Sequence, residues 1–118
     1  MTVDMRPRVR KTGPLVSNVA ATTPLTYYQL SDGRSAVLVK ILGFNGQAGN
    51  VILEIGDGLA GAFVRRIPRI FMVAGMDLNI GEEDCPNWEF TGDIVGQVSA
   101  AAAAAADVGI QLVVDEIG

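Results

Sequence analysis

Histidine is absent from this 118-residue chain, cysteine occurs once, and the aromatic set is one tryptophan, two tyrosines and four phenylalanines. Without imidazole there is no Ser-His-Asp triad, no histidine-containing zinc site and no imidazole acid–base catalysis. The lone Cys85 has no partner for an internal disulfide, so stability must come from packing or association, and a reducing site of synthesis is expected. No apolar run approaches the ~20 residues of a membrane-spanning helix, and the polar N-terminus lacks the apolar centre of a secretion signal. The expectation is a soluble, unprocessed chain with no membrane partner.

What is present is apolar and weakly charged: 49% of residues are hydrophobic and 19% are charged. That balance excludes wholesale disorder, and the length suits a single core. Charge is unevenly placed. Residues 1–23 carry Arg6, Arg8, Arg10 and Lys11 against Asp4, a surplus of three positive charges, whereas the remaining five basic and twelve acidic side chains leave the body at −7. Pro7, Gly13 and Pro14 interrupt any regular period in the first 23 residues, which read as an extended basic N-terminal arm. Such an arm lies on an acidic neighbouring subunit or on phosphates, because both attractions depend on charge density; the expectation is a subunit rather than nucleic acid. The plain alternative is a solvated terminus.

From residue 24 onward short apolar runs alternate with Gly, Asn and Asp, the spacing of strands in a sandwich or barrel. Expected strands are Leu25 to Leu30, Ala36 to Leu42, Val51 to Ile55, Ile70 to Val73, Met76 to Ile80, Trp88 to Phe90, Ile94 to Ser99 and Val108 to Asp115. Asp32-Gly33 and Asn45-Gly46 supply turn chemistry, and Gly75 is expected to close a hairpin between the fourth and fifth strands. In the second strand Val37, Val39 and Ile41 share one face and Ala36, Leu38, Lys40 and Leu42 the other, while Val51, Leu53 and Ile55 face inward. The short connections imply antiparallel order. Two segments test this: Leu59 to Arg66, either two helical turns or an irregular strand, and the seven alanines Ala100 to Ala106, expected as a loop or single helical turn.

Several motifs carry candidate chemistry. Gly56-Asp57-Gly58-Leu59-Ala60-Gly61 matches G-x-G-x-x-G after a strand, with Asp77 near the distance of a ribose-binding acid, but Pro68 stops any long helix and a glycine-rich turn is the simpler reading. Glu82, Glu83 and Asp84 offer oxygen ligands suited to Ca²⁺ or Mg²⁺, though three adjacent carboxylates do not converge without a folded loop, and a solvated hairpin tip is expected. Two carboxylates are the minimum for glycoside hydrolysis, and Glu54 or Glu89 are available partners, yet no spacing selects a pair. Tyr27, Tyr28 and Trp88 are candidates for stacking on sugars, but adjacent tyrosines on a strand point to opposite faces; Trp88 is read as a core anchor or interface residue. Arg65, Arg66 and Arg69 around Pro68 form the basic cluster of the body, expected to meet the Glu82 to Asp84 loop of a neighbouring copy.

The order of Ala36 to Leu42, a turn, Val51 to Gly58, then Ile67-Pro68-Arg69-Ile70 leading to the Ala74-Gly75 bend, and finally Gly92 to Ser99 and Val108 to Val114, resembles small structural proteins of tailed-virus particles, especially head-decorating or cementing proteins. This resemblance implies an all-β, antiparallel, jelly-roll-like β-sandwich of seven to eight strands over residues 24–118, with residues 1–23 as an arm crossing a subunit boundary. It implies a homotrimer docked on a major capsid protein or equivalent shell, located in the virion after synthesis in a host cytoplasm. The expected interface residues are Arg6, Arg8, Arg10, Lys11, Arg65, Arg66, Arg69 and Trp88, with no catalytic residue, metal or cofactor, and the protein is expected not to be an enzyme. The alternative is a carbohydrate-binding β-sandwich module.

Overall fold

The structure is a computed structural model that describes residues 7–17, 24–59, 61–98 and 108–118. Eleven strand segments follow the alternation of apolar residues: β1 (Arg8–Thr12), β2 (Val16–Ser17), β3 (Leu25–Tyr28), β4 (Ser35–Asn45), β5 (Val51–Asp57), β6 (Val64–Arg65), β7 (Ile70–Met72), β8 (Asp77–Ile80), β9 (Glu89–Phe90), β10 (Ile94–Val98) and β11 (Val108–Ile117). They form two antiparallel sheets. The first has the order β1-β11-β4-β8, with β2 also pairing β11 and β9 also pairing β4; the second has the order β3-β10-β5-β6, with β7 also pairing β5. β1 with β2, β6 with β7, and β8 with β9 are each one interrupted edge strand, so eight strand positions remain, four in each sheet. Every connection between these positions except the one from β5 to β6 passes from one sheet to the other, which is the jelly-roll arrangement. The all-β sandwich expected from the sequence is thus the architecture found.

The core lies between the sheets. Leu53, Ile55 and Val51 of β5 face Ile110, Leu112 and Val114 of β11, with Leu38, Ile41, Met72, Ile94 and Val98 completing the layer. Burying each of these side chains is worth about 1.5–3 kcal/mol, which makes this layer the dominant stabilising element in a chain without disulfides. The inward alternation of Val51, Leu53 and Ile55 is as the sequence indicates.

Three expectations fail for physical reasons. First, Gly75 does not close a hairpin: Ile70–Met72 pairs β5 while Asp77–Ile80 pairs β4. The turn, with Gly75 at φ 75°, carries the chain between sheets and is anchored when Gly75 N–H donates to the Asn45 carbonyl and Asn45 N–H donates to the Met76 carbonyl. Asp32-Gly33 likewise joins β3 to β4 in the other sheet. Period-two alternation fixes which residues face inward but not which strand is the neighbour. Second, β4 switches face along its length. Val113 pairs Lys40 and Val114 pairs Leu38, so Val39 is a bulge residue; Ala36 and Leu38 enter the core before it and Ile41 after it. Third, Tyr27 and Tyr28 both point inward, because Ile94 pairs Tyr28 while Val95 pairs Thr26, leaving Tyr27 in a bulge of β3. An extra residue re-aims the side chain that follows it.

Leu59 to Arg66 is a turn followed by the short strand β6, with Ala62 N–H donating to the Leu59 carbonyl at 2.8 Å. Asn45 ends β4 rather than opening a turn: its buried side-chain amide donates to the carbonyls of Gly49 and Met72, each at 3.0 Å, and pins the β4–β5 loop to β7. The alanine run and Arg6 lie outside the described residues.

Candidate assembly surfaces

The described part of the basic arm is the edge of the first sheet. Arg8 to Thr12 runs antiparallel to Ile117 to Val113, and Val16 and Ser17 pair Ile110 and Gly109. Arg10, opposite Asp115, holds that carboxylate at 2.9 Å and Glu82 at 3.1 Å, and both acids raise the guanidinium pKa, the Asp115 hydrogen bond most. Lys11 lies 3.3 Å from Glu116. These cations therefore meet acids of their own chain.

Glu116 is the centre of a buried polar group that ties the two sheets together at one end of the sandwich. Its side chain is 1% exposed on β11; the Tyr28 hydroxyl from the other sheet donates to Oε2, Ser31 Oγ stands at 3.3 Å, and Arg34 is 3.9 Å from Oε1. The Tyr28 hydrogen bond is the main cause of a lowered Glu116 pKa, outweighing burial; Ser31 and Lys11 act in the same direction. Burial and then the neighbouring carboxylate push the Tyr28 phenol up. An inward polar residue of this kind carries no period-two signature, because the pattern reads Glu116 as an ordinary end-of-strand acid.

On the second sheet Arg66 pairs Asp57 at 3.0 Å and Arg69 pairs Glu54 at 3.2 Å, with Gln97 also donating to Glu54. Arg65 is exposed and has no ion-pair partner among the described residues. The same edge displays Phe71, 69% exposed, and Val73, 57% exposed, on the outer side of the strand whose Met72 is buried. Trp88 packs partly buried against the core, and its carbonyl accepts Leu38 N–H at 2.9 Å. Its role is therefore at least that of the core anchor anticipated from the sequence.

The other candidate chemistries separate in space. Glu54 stands on one sheet and Glu89 on the other, so they flank no common substrate. Among the described residues no three His, Cys, Asp or Glu side chains are grouped to hold a metal ion. Glu82 to Asp84 form an exposed 3₁₀ turn between β8 and β9. No helix follows Gly56 to Gly61, so the glycines serve the turn: Gly58 has φ 85°, and a side chain at Gly56 would collide with the backbone of Val64. A cleft of about 360 Å³ opens on the second sheet between Asp57 to Leu59 and Thr91 to Asp93, with Thr26 and Val95 beneath. It is large enough for a small molecule. No aromatic ring lines it, and Tyr27 and Tyr28, candidates for stacking on sugars, are buried in the core.

Among the described residues this topology leaves two walls of open sheet edges. One joins the β1–β2 edge to the β3 edge; the other joins the β6–β7 edge to the β8–β9 edge. No protein-family model matches the chain. No curated protein matches it either. Among solved structures it is similar to a chain from Bacillus endospore appendages, described as a novel family of disulfide-linked pili, with 14% identity and a TM-score of 0.54 over 99% of this chain and 93% of that one. The two chains share a fold. No helix among the described residues is long and apolar enough to cross a membrane.

Proposed function

We propose that this protein is a non-enzymatic structural subunit that self-associates and works within an extracellular or particle-surface assembly. The observation that carries the reading is the pair of open-sheet walls, one of them bearing the exposed Phe71 and Val73. Unpaired edges are templates for joining other chains, and apolar side chains beside them add non-polar contact. The fold likeness supports it: the chain matched over nearly its whole length belongs to appendages described as pili. A disulfide link between copies is disfavoured, since the single thiol, Cys85, is buried and its pKa is pushed up by that burial and by Asp84. This distinguishes it from the disulfide-linked pili it is similar to.

Attachment to a virus shell is the second reading, favoured by the jelly-roll order of strands that the resemblance to head-decorating proteins implies. Purified full-length protein examined by light scattering and negative-stain electron microscopy tests both. Filaments or discrete oligomers support the self-associating subunit; a trimer that binds only a capsid-like shell supports decoration. A monomer at every concentration, with no higher-order species, overturns the self-association proposal.

A further inference from the structure

We propose that two copies of this chain join through the wall formed by β6, β7, β8 and β9, about a two-fold axis parallel to the strands; this rests on the self-association reading above. The two walls differ in how their edges are protected. Proteins block edge pairing with proline, bulges and inward-pointing charge. The β1–β2 edge has Pro14 at its interruption and Lys11 turned in toward Glu116, and the β3 edge is bulged at Tyr27. The β6–β7 and β8–β9 edges also have a proline at their interruptions, Pro68 and Pro86, but β7 and β8 themselves have neither bulge nor inward-turned lysine, and Phe71 and Val73 stand exposed beside that wall.

The directions permit this axis, and charge selects it. β7 runs antiparallel to β5 and approaches the Val73 to Met76 turn; β8 leaves that turn antiparallel to β4. β7 and β8 therefore run in opposite senses at the same end of the wall, while β6 and the Glu82–Phe90 stretch occupy the other end. A two-fold rotation along the strand direction keeps each sense and exchanges the sheets. It sets β7 of one copy antiparallel to β8 of the second, and β6 beside Glu82–Asp84 of the second, twice over. Both sheets continue across such a contact, which is isologous and self-complementary.

Charge agrees with this placement. Arg65 at β6 lacks an ion-pair partner among the described residues, and so do Glu83 and Asp84 at the same end of the opposing edge. The rotation brings the free cation of each copy to the free acids of the other, whereas a two-fold axis perpendicular to the sheets would join like edges and set cation beside cation. Phe71 then lies across from β8 of the second copy, within reach of its outward side chains.

The experiment uses the full chain and three variants, Arg65→Glu, Glu83→Arg and the double variant, compared by sedimentation velocity across concentration, with amide hydrogen exchange on the wild type. Each single reversal creates two repulsive contacts and is expected to weaken association about tenfold or more, and the double variant to restore it. Exchange at Phe71 and Asn79 is expected to slow as concentration rises. Association that survives both reversals, or protection that grows only at β1 or β3, overturns the two-fold contact while leaving self-association standing; a monomer throughout overturns both.

Discussion

Removing one hydroxyl is expected to destabilise the whole sandwich. In Tyr28→Phe the carboxylate of Glu116 stays inward and 1% exposed, but loses the donor that reaches it from the opposite sheet. A hydrogen bond to a charged buried group is worth about 1.5–3 kcal/mol, and Ser31, Lys11 and Arg34 remain nearby to compensate in part. A loss of about 2 kcal/mol follows, or roughly 8 °C in Tm for a domain of this size. The pH dependence carries a sign. Glu116 has a lower pKa folded than unfolded, so its contribution is fully present above the unfolded value of about 4.3 and disappears as pH falls through the folded value. Because Tyr28 is the largest cause of that lowering, the difference between wild type and Tyr28→Phe is largest near neutrality and shrinks on acidification. Urea unfolding of both proteins from pH 3 to 7 measures it. Equal stability at pH 7, or a difference that widens toward pH 3, refutes the role given to this bond.

Three further outcomes are expected. Gly96→Ala places a methyl group against the ring of Tyr27, which is packed in the core, and should cost about 1–3 kcal/mol in a thermal melt. Leu53→Ala, at a position with no exposed surface in the layer between the sheets, should cost about 2–5 kcal/mol by denaturant titration. Cys85 should react slowly with a thiol reagent at neutral pH and rapidly once urea unfolds the chain; fast labelling of the folded protein would contradict its burial.

Much of the fold was legible because strand formation leaves a local record. The run Val51 to Ile55 alternates as it does because one side of β5 meets the core, and the turn residues around Gly33, Gly46 and Gly75 fall between strands. The bulges at Val39 and Tyr27 left no such record: each depends on how the neighbouring strand is spaced, so Tyr28 came inward against the alternation. The candidate surface was only half visible. Arg65, Arg66 and Arg69 were recognisable as a cluster, but that Asp57 and Glu54 neutralise two of them while Arg65 stays unpaired among the described residues required the pairing of β5 with β6 and β7.

The sequence by itself determined the class of fold, the absence of imidazole chemistry and the segments that become strands, since these follow from composition and from a two-residue period. Tertiary structure alone decided that successive strands, β5 and β6 excepted, change sheets, that the first strand closes one edge with its cations on the chain's own acids, and that Glu116 meets Tyr28 across the sandwich. Those facts depend on contacts between residues distant in the chain, such as Arg10 and Asp115, 105 positions apart, and no local pattern encodes which distant partner a strand or a charge will meet.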